Sequence, residues 1–258
     1  MIFFQTIAVA FAMFSALPMP QPEWNARNMR YAMCAFPLVG VVVGLVWWGW
    51  SALCGALALP VLLRAAGYCL FPVLITGGIH LDGYADTSDA LASCAPPERK
   101  QEILKDSHCG AFAVIRLCTY FTASFALCAV YRPDRAAVAC MAVSFVLSRA
   151  LSGLAVASFP LARDTGLAHA FATAADRKRV RNALVIVVIA ASAALCVLGG
   201  VGGAVMTAAA LCVFWYYHRT AMKLFGGLSG DLAGWFLQKA ELWMLAALVL
   251  CQCGRAWL

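Results

Sequence analysis

The chain has 258 residues, 64% of them hydrophobic and only 12% charged, with a mean hydropathy of +0.83. That apolar excess excludes a water-soluble globular protein. The formal charge of +7 is carried by scattered single residues without a basic stripe of interleaved aromatics, which excludes nucleic-acid binding. Backbone groups in lipid must be satisfied within helices or closed barrels, and strand-like alternation is absent. The expectation is therefore an all-α polytopic membrane bundle, a single domain over 1–258.

In chain order, apolar segments lie at 1–17, 33–53, 61–79, 108–130, 136–160, 183–199, 204–217 and 240–254. A bilayer span takes about 20 residues, so about seven or eight membrane segments are expected. The first reads as a retained span rather than a signal peptide, since it lacks a basic start and a small-residue cleavage site before Pro18. Pro18 to Pro22, Pro96-Pro97, Arg132-Pro133-Asp134, Phe159-Pro160 and the glycines from Gly199 to Gly203 punctuate the runs. Segment 96–105 predicts a short surface helix with proline in its first turn, returning Lys105 and Asp106 toward residues 80–90. With eight alternating spans, loops 18–32, 80–107, 161–182 and 218–239 share one side and hold 13 of the 19 basic residues. The positive-inside rule places those loops in the cytoplasm. The 12 cysteines lie mostly within apolar runs and form no CxxC pair, so they read as small apolar side chains.

Residues His80 to Asp89 carry the densest chemistry. At about 100° per residue, Asp82, Asp86 and Asp89 fall within about 60° of one another on a helix. A hydrated interfacial helix would tolerate them singly, but three like charges on one narrow face call for a counter-charge. Oxygen-only ligands favour a hard cation such as Mg²⁺, which commonly carries phosphate groups. Gly77, Gly78 and Gly83 thin the backbone there. His80 is either a proton shuttle near neutral pH or an interfacial histidine.

Weaker signals follow. In Lys105-Asp106-Ser107, Asp106 is a candidate fourth ligand and Lys105 a phosphate partner. Gly226-Gly227-Leu228-Ser229-Gly230-Asp231 opens a helix whose free N–H groups favour anions, or is a glycine turn capped by Ser229. It is not a P-loop, because no Gly-Lys-[Ser/Thr] ending follows. Arg149 stands in an apolar span and Arg163 follows Pro160; a pyrophosphate substrate would supply each with a partner.

These blocks, in this order, resemble the cobalamin synthase family, the adenosylcobinamide-GDP ribazoletransferases. The resemblance runs from Phe14–Pro20 and Phe36–Gly40 through Gly77–Asp89, Lys105–Ser107 with Gly110–Phe112, Ser148-Arg149 and Ala162-Arg163 to Gly226–Asp231. It departs from the family at Ser15-Ala16-Leu17-Pro18, where Thr-Arg-Ile-Pro is usual, at Ala90 and Ala113, often glycine, and at Ser229, often threonine.

The resemblance implies that adenosylcobinamide-GDP and α-ribazole, or its 5′-phosphate, yield adenosylcobalamin, or its 5′-phosphate, and GMP. It implies a multi-pass protein of the bacterial cytoplasmic membrane, in contact with lipid and compatible with a homo-oligomer, its site loops facing the cytoplasm. Mg²⁺ would be held by Asp82, Asp86, Asp89 and Asp106. Lys105, Arg149, Arg163 and the loop of Gly226, Gly227, Ser229, Gly230 and Asp231 would bind substrate. His80 or an aspartate would accept the hydroxyl proton.

Two alternatives bound this reading. A CDP-alcohol phosphotransferase normally follows its first Asp-Gly with Ala-Arg, where this chain has Ala85-Asp86, and a prenyltransferase shows a second aspartate-rich motif not evident here. A cation-coupled transporter would show matching halves with broken helices, and no such symmetry is visible.

Overall fold

The protein, described by a computed structural model over residues 2–106 and 108–255, is built from helices and one isolated β-bridge. The elements are α1 (Ile2–Phe14), α2 (Ala26–Met29), α3 (Ala32–Ala56), α4 (Val61–Thr76), α5 (Ile79–Ala92) and α6 (Pro97–Ile103). They continue with α7 (Ala111–Val130), α8 (Arg135–Ser158), α9 (Leu167–Ala174), α10 (Arg177–Gly199), α11 (Val201–Leu224) and α12 (Gly230–Arg255).

Six helices, α3, α7, α8, α10, α11 and α12, are long and apolar enough to cross a membrane, and α4 with α5 makes a seventh if the bent pair is one span. The all-α polytopic expectation holds. The first apolar segment is shorter than expected: the 13 residues of α1 reach only about 20 Å, short of a hydrocarbon core of about 30 Å. The last helix is longer than expected, beginning at Gly230 rather than near 240. The loop before it shrinks to 225–229, which puts Arg219, Lys223 and Lys239 on helices.

Helix α8 is the centre. Its middle, from Ser144 to Ser152, is largely buried, and small residues let neighbours approach closely. Gly40 and Gly44 of α3, four apart, meet its backbone directly. A Cβ on Gly44 would lie 2.8 Å from the Ala142 carbonyl oxygen, and one on Gly40 would collide with that of Phe145. Around this seam Trp47 packs, tilted, against Tyr68 at 4.2 Å and Phe145 at 5.5 Å. α10 covers another side of α8, with Leu184 fully buried. Asp134 and Asp176 start α8 and α10 by accepting from the N–H groups of Ala137 (2.8 Å) and Arg179 (3.3 Å).

One turn sets the site. α4 ends in two consecutive left-handed residues, Gly77 (φ +62°) and Gly78 (φ +77°), a conformation costly for any side chain with a Cβ. The chain turns by 95° there, and α5 leaves across the bundle toward α12.

Candidate active site

α5 and α12 meet backbone to backbone. A Cβ on Gly83 would lie 2.7 Å from the Asp231 carbonyl oxygen, and one on Gly234 would lie 2.8 Å from that of His80. This contact brings the first turn of α12 onto the acidic face of α5. Asp82 and Asp231 both line a cavity of ≈ 330 Å³. Asp86 is half-buried and lies in the field of Asp82, Asp231 and Asp89. The shared face expected from the 82/86/89 spacing is present, and Asp231 joins it from another helix.

Asp89 has a second attachment. Its Oδ1 accepts from the Ala113 N–H at 3.3 Å, so the carboxylate sits over the first turn of α7, where negative charge is favoured. Gly110 makes room, since a Cβ there would collide with that carboxylate. Asp106 and Lys105 lie exposed on the loop after α6. Asp106 accepts from the His108 backbone N–H at 3.0 Å and faces the His108 imidazole at 2.6 Å, bonds that hold its carboxyl below the usual range. Its partner is therefore His108 rather than the α5 carboxylates. Ser107, from the same cluster, lies outside the described residues.

The wall of the cavity is aromatic. Phe14 lies 4.3 Å from Phe36 and 5.6 Å from Phe171, and all three line the space with His80. His80 is buried beside Phe36 (5.7 Å) and Phe14 (6.2 Å), and its Nε2 has no hydrogen-bond partner.

Three loops are tied together at the rim. Leu161 and Leu228 form the β-bridge, with Ala162 N–H donating to the Leu228 carbonyl at 2.9 Å. A Cβ on Gly227 would lie 2.5 Å from the Ala162 nitrogen, so only glycine fits that approach. Gln101 of α6 donates to the Phe225 carbonyl at 2.7 Å, while its own carbonyl accepts from Arg163. The half-buried Arg163 supplies positive charge beside Asp231. Ser229 accepts from the Leu232 N–H at 3.3 Å, the capping role, and Gly226 holds φ +70°. Gly230 lines the cavity with Asp231.

Arg149 lies deeper. It is 1% exposed and its Nη1 bonds Glu241 at 2.6 Å, with the Phe145 carbonyl and Ser148 Oγ nearby at 3.0 and 3.3 Å. The partner for this intramembrane arginine is thus a protein carboxylate on α12, not an open phosphate site.

The arrangement combines a negative rim, one adjacent arginine and an aromatic cavity. That suits a phosphorylated aromatic nucleotide held at a cation. Residues 6–249 match the family model described as cobalamin-5-phosphate synthase. The chain belongs to that family. It is 40% identical over 244 residues to a Lachnoclostridium phytofermentans protein named adenosylcobinamide-GDP ribazoletransferase, covering 95% of this chain and 93% of the relative. Proteins of the same name from Geobacillus sp. strain WCH70 (32%, 87% of each chain) and Desulfitobacterium hafniense strain Y51 (31%, 92% and 93%) are similar to it as well. No solved structure gives a significant match.

For a cobalamin-5-phosphate synthase family member, the residues missed by sequence reasoning are instructive. Phe14, Phe36 and Phe171 come from three distant segments, and no local pattern joins them. Gln101 was hidden in a charged surface helix. Glu241 did leave a signal, as a carboxylate within an apolar run that also needs a partner.

Breaking the Arg149–Glu241 pair leaves a buried charge alone. Glu241→Gln should cost about 3 kcal/mol, read as a lower thermal unfolding midpoint in detergent, and adding Arg149→Met should restore most of it. An unchanged midpoint in Glu241→Gln would contradict a structural role for the pair.

Proposed function

We propose that this chain is an adenosylcobinamide-GDP ribazoletransferase that works at a carboxylate-held Mg²⁺ on the cytoplasmic side of a bacterial membrane. The supporting observation is that Asp82 and Asp231, from two helices, edge the same cavity walled by Phe14, Phe36 and Phe171. Among the described residues no three His, Cys, Asp or Glu side chains already converge as a finished metal site. The donor chemistry nevertheless fits Mg²⁺, which needs only one or two carboxylates and completes its shell with water and phosphate oxygens. Asp82 and Asp231, which edge the same cavity, would hold it, and Asp86 and Asp89 add negative charge; Asp106 would have to turn from His108 to join them. When bound, the ion neutralises charge on the diphosphate and on the departing phosphate.

The chain's own residues do the rest. A corrin exceeds ≈ 330 Å³ and stays outside the cavity, whereas a two-ring base fits within it. Phe14, Phe36 and Phe171 give its wall a flat apolar surface for such a base. The benzimidazole-type base of α-ribazole, almost wholly apolar, suits them. We therefore seat α-ribazole, or its 5′-phosphate, in the cavity and the adenosylcobinamide-GDP diphosphate at the rim, beside Arg163 and the N–H groups opening α12. Lys105 is free to swing to the same phosphates from its exposed loop. Arg149, through Glu241, holds α8 and α12 in place behind them.

A ribose hydroxyl then attacks the phosphorus on the cobinamide side. A new P–O bond forms, the bridging P–O bond breaks, and GMP leaves with the electron pair. A rim carboxylate such as Asp82 would accept the hydroxyl proton, since His80 lies at the apolar end of the cavity between Phe14 and Phe36.

Purified protein in lipid with both substrates should release GMP and a cobalamin-type product only with Mg²⁺. Asp82→Ala should lower turnover by about a thousandfold or more, whereas Phe171→Ala should chiefly raise KM for α-ribazole. An active Asp82→Ala protein would contradict the ligand assignment, and an unchanged KM in Phe171→Ala would remove the base from the cavity.

The sidedness has its own test. In intact spheroplasts, a variant retaining only Cys109, exposed before α7, should resist a membrane-impermeant maleimide until the cells are opened. Labelling before lysis would reverse the orientation.

A further inference from the structure

The face of α5 opposite the aspartates borders a second cavity, of ≈ 240 Å³. Tyr84 and Ser88 of α5, Arg116 of α7, Tyr216 of α11, and Trp235 and Lys239 of α12 line it. The Lys239 ammonium stands 4.5 Å from the Trp235 ring centroid and 5.1 Å from that of Tyr216, so the aromatic faces fix it in position. Arg116 enters the same space from α7. Among the described residues neither cation forms an ion pair with a carboxylate.

Two like charges sharing a small cavity repel each other, and the Tyr84 and Ser88 hydroxyls do nothing to neutralise them. An anion between them would remove the repulsion. Its chemistry is narrowed by the setting. One turn from Tyr216, Arg219 stands over Trp215 at 4.7 Å, and Trp215 is itself 58% exposed. Exposed tryptophan and tyrosine alternating with Arg and Lys mark the level of lipid headgroups, where phosphate is the abundant anion.

We propose that this cavity is a phosphate-binding site, with Arg116 and Lys239 as its cations and Trp235 and Tyr216 as the frame that holds Lys239. Two sources can present that phosphate: the headgroup of an anionic phospholipid, or a free phosphoanion from solution. The site is separate from the acidic rim, so its failure would leave the transferase reading untouched.

Native mass spectrometry of the full chain in detergent separates the sources. The probes are dioleoyl phosphatidylglycerol, dioleoyl phosphatidylcholine and inorganic pyrophosphate. Wild type should retain phosphatidylglycerol about tenfold better than Arg116→Gln/Lys239→Gln, and retain phosphatidylcholine poorly. The charge-keeping variant Arg116→Lys/Lys239→Arg should recover retention, which a misfolded protein would not. Charge-dependent capture of pyrophosphate instead would support the site and assign it to a soluble phosphate. Equal retention of both probes by wild type and the double-glutamine variant would overturn the proposal. So would phosphatidylcholine retained as well as phosphatidylglycerol with no charge-dependent capture of pyrophosphate.

Discussion

The backbone contact between α5 and α12 at Gly83 and Gly234 is the constraint on which the site depends, because it brings Asp231 beside Asp82 and Asp86. Carboxylates in a poorly hydrated setting oppose one another's ionisation, so a fold that gathers them needs an opposing force. Here that force is steric and apolar. Gly83 and Gly234 let α5 and α12 touch backbone to backbone, and the buried length of α12 anchors one side of that contact. The carboxylates cannot separate without unpacking the helices that carry them. Arg163 beside Asp231 offsets part of the cluster's charge.

The same contact explains the shape of the aromatic cavity. Because α5 turns across the bundle at Gly77-Gly78, His80 is carried inward between Phe14 and Phe36, while Asp82 stays at the rim. One helical turn thus presents an apolar seat on one side and charge on the other. Such a division suits a substrate with a flat base at one end and a reacting ribose next to phosphate. Gln101 and the Leu161–Leu228 bridge hold the surrounding loops at a fixed distance from that turn.

Much of this was legible from local pattern. The spans α3, α7 and α8 were visible in hydropathy to within a few residues, and the 82/86/89 spacing announced a shared face before any coordinates. The failures have a common cause. α12 was read as starting near 240 because Gln238 and Lys239 interrupt its apolar run. Gln238 accepts from the distant Tyr120 hydroxyl at 2.5 Å, Lys239 lies over Trp235 and Tyr216, and Glu241, a carboxylate inside the expected span, pairs with Arg149. Polar residues in a helix look like a loop until those partners are known. Asp231 was recognised as part of a glycine loop, but its approach to Asp82 depends on a long-range crossing that no local spacing encodes. Asp106, expected as a fourth ligand on the return of segment 96–105, here bonds His108 two residues on, a local turn that the spacing did not announce.

The most direct test is a titration of the purified chain in lipid with Mn²⁺, followed by electron paramagnetic resonance, without substrates present. The account predicts saturable binding that Mg²⁺ displaces, weakened about tenfold or more in both Asp82→Asn and Asp231→Asn, since each removes a carboxylate from the same ion. Equal Mn²⁺ affinity in wild type and both variants would contradict it, because the acidic rim would then not be what holds the cation.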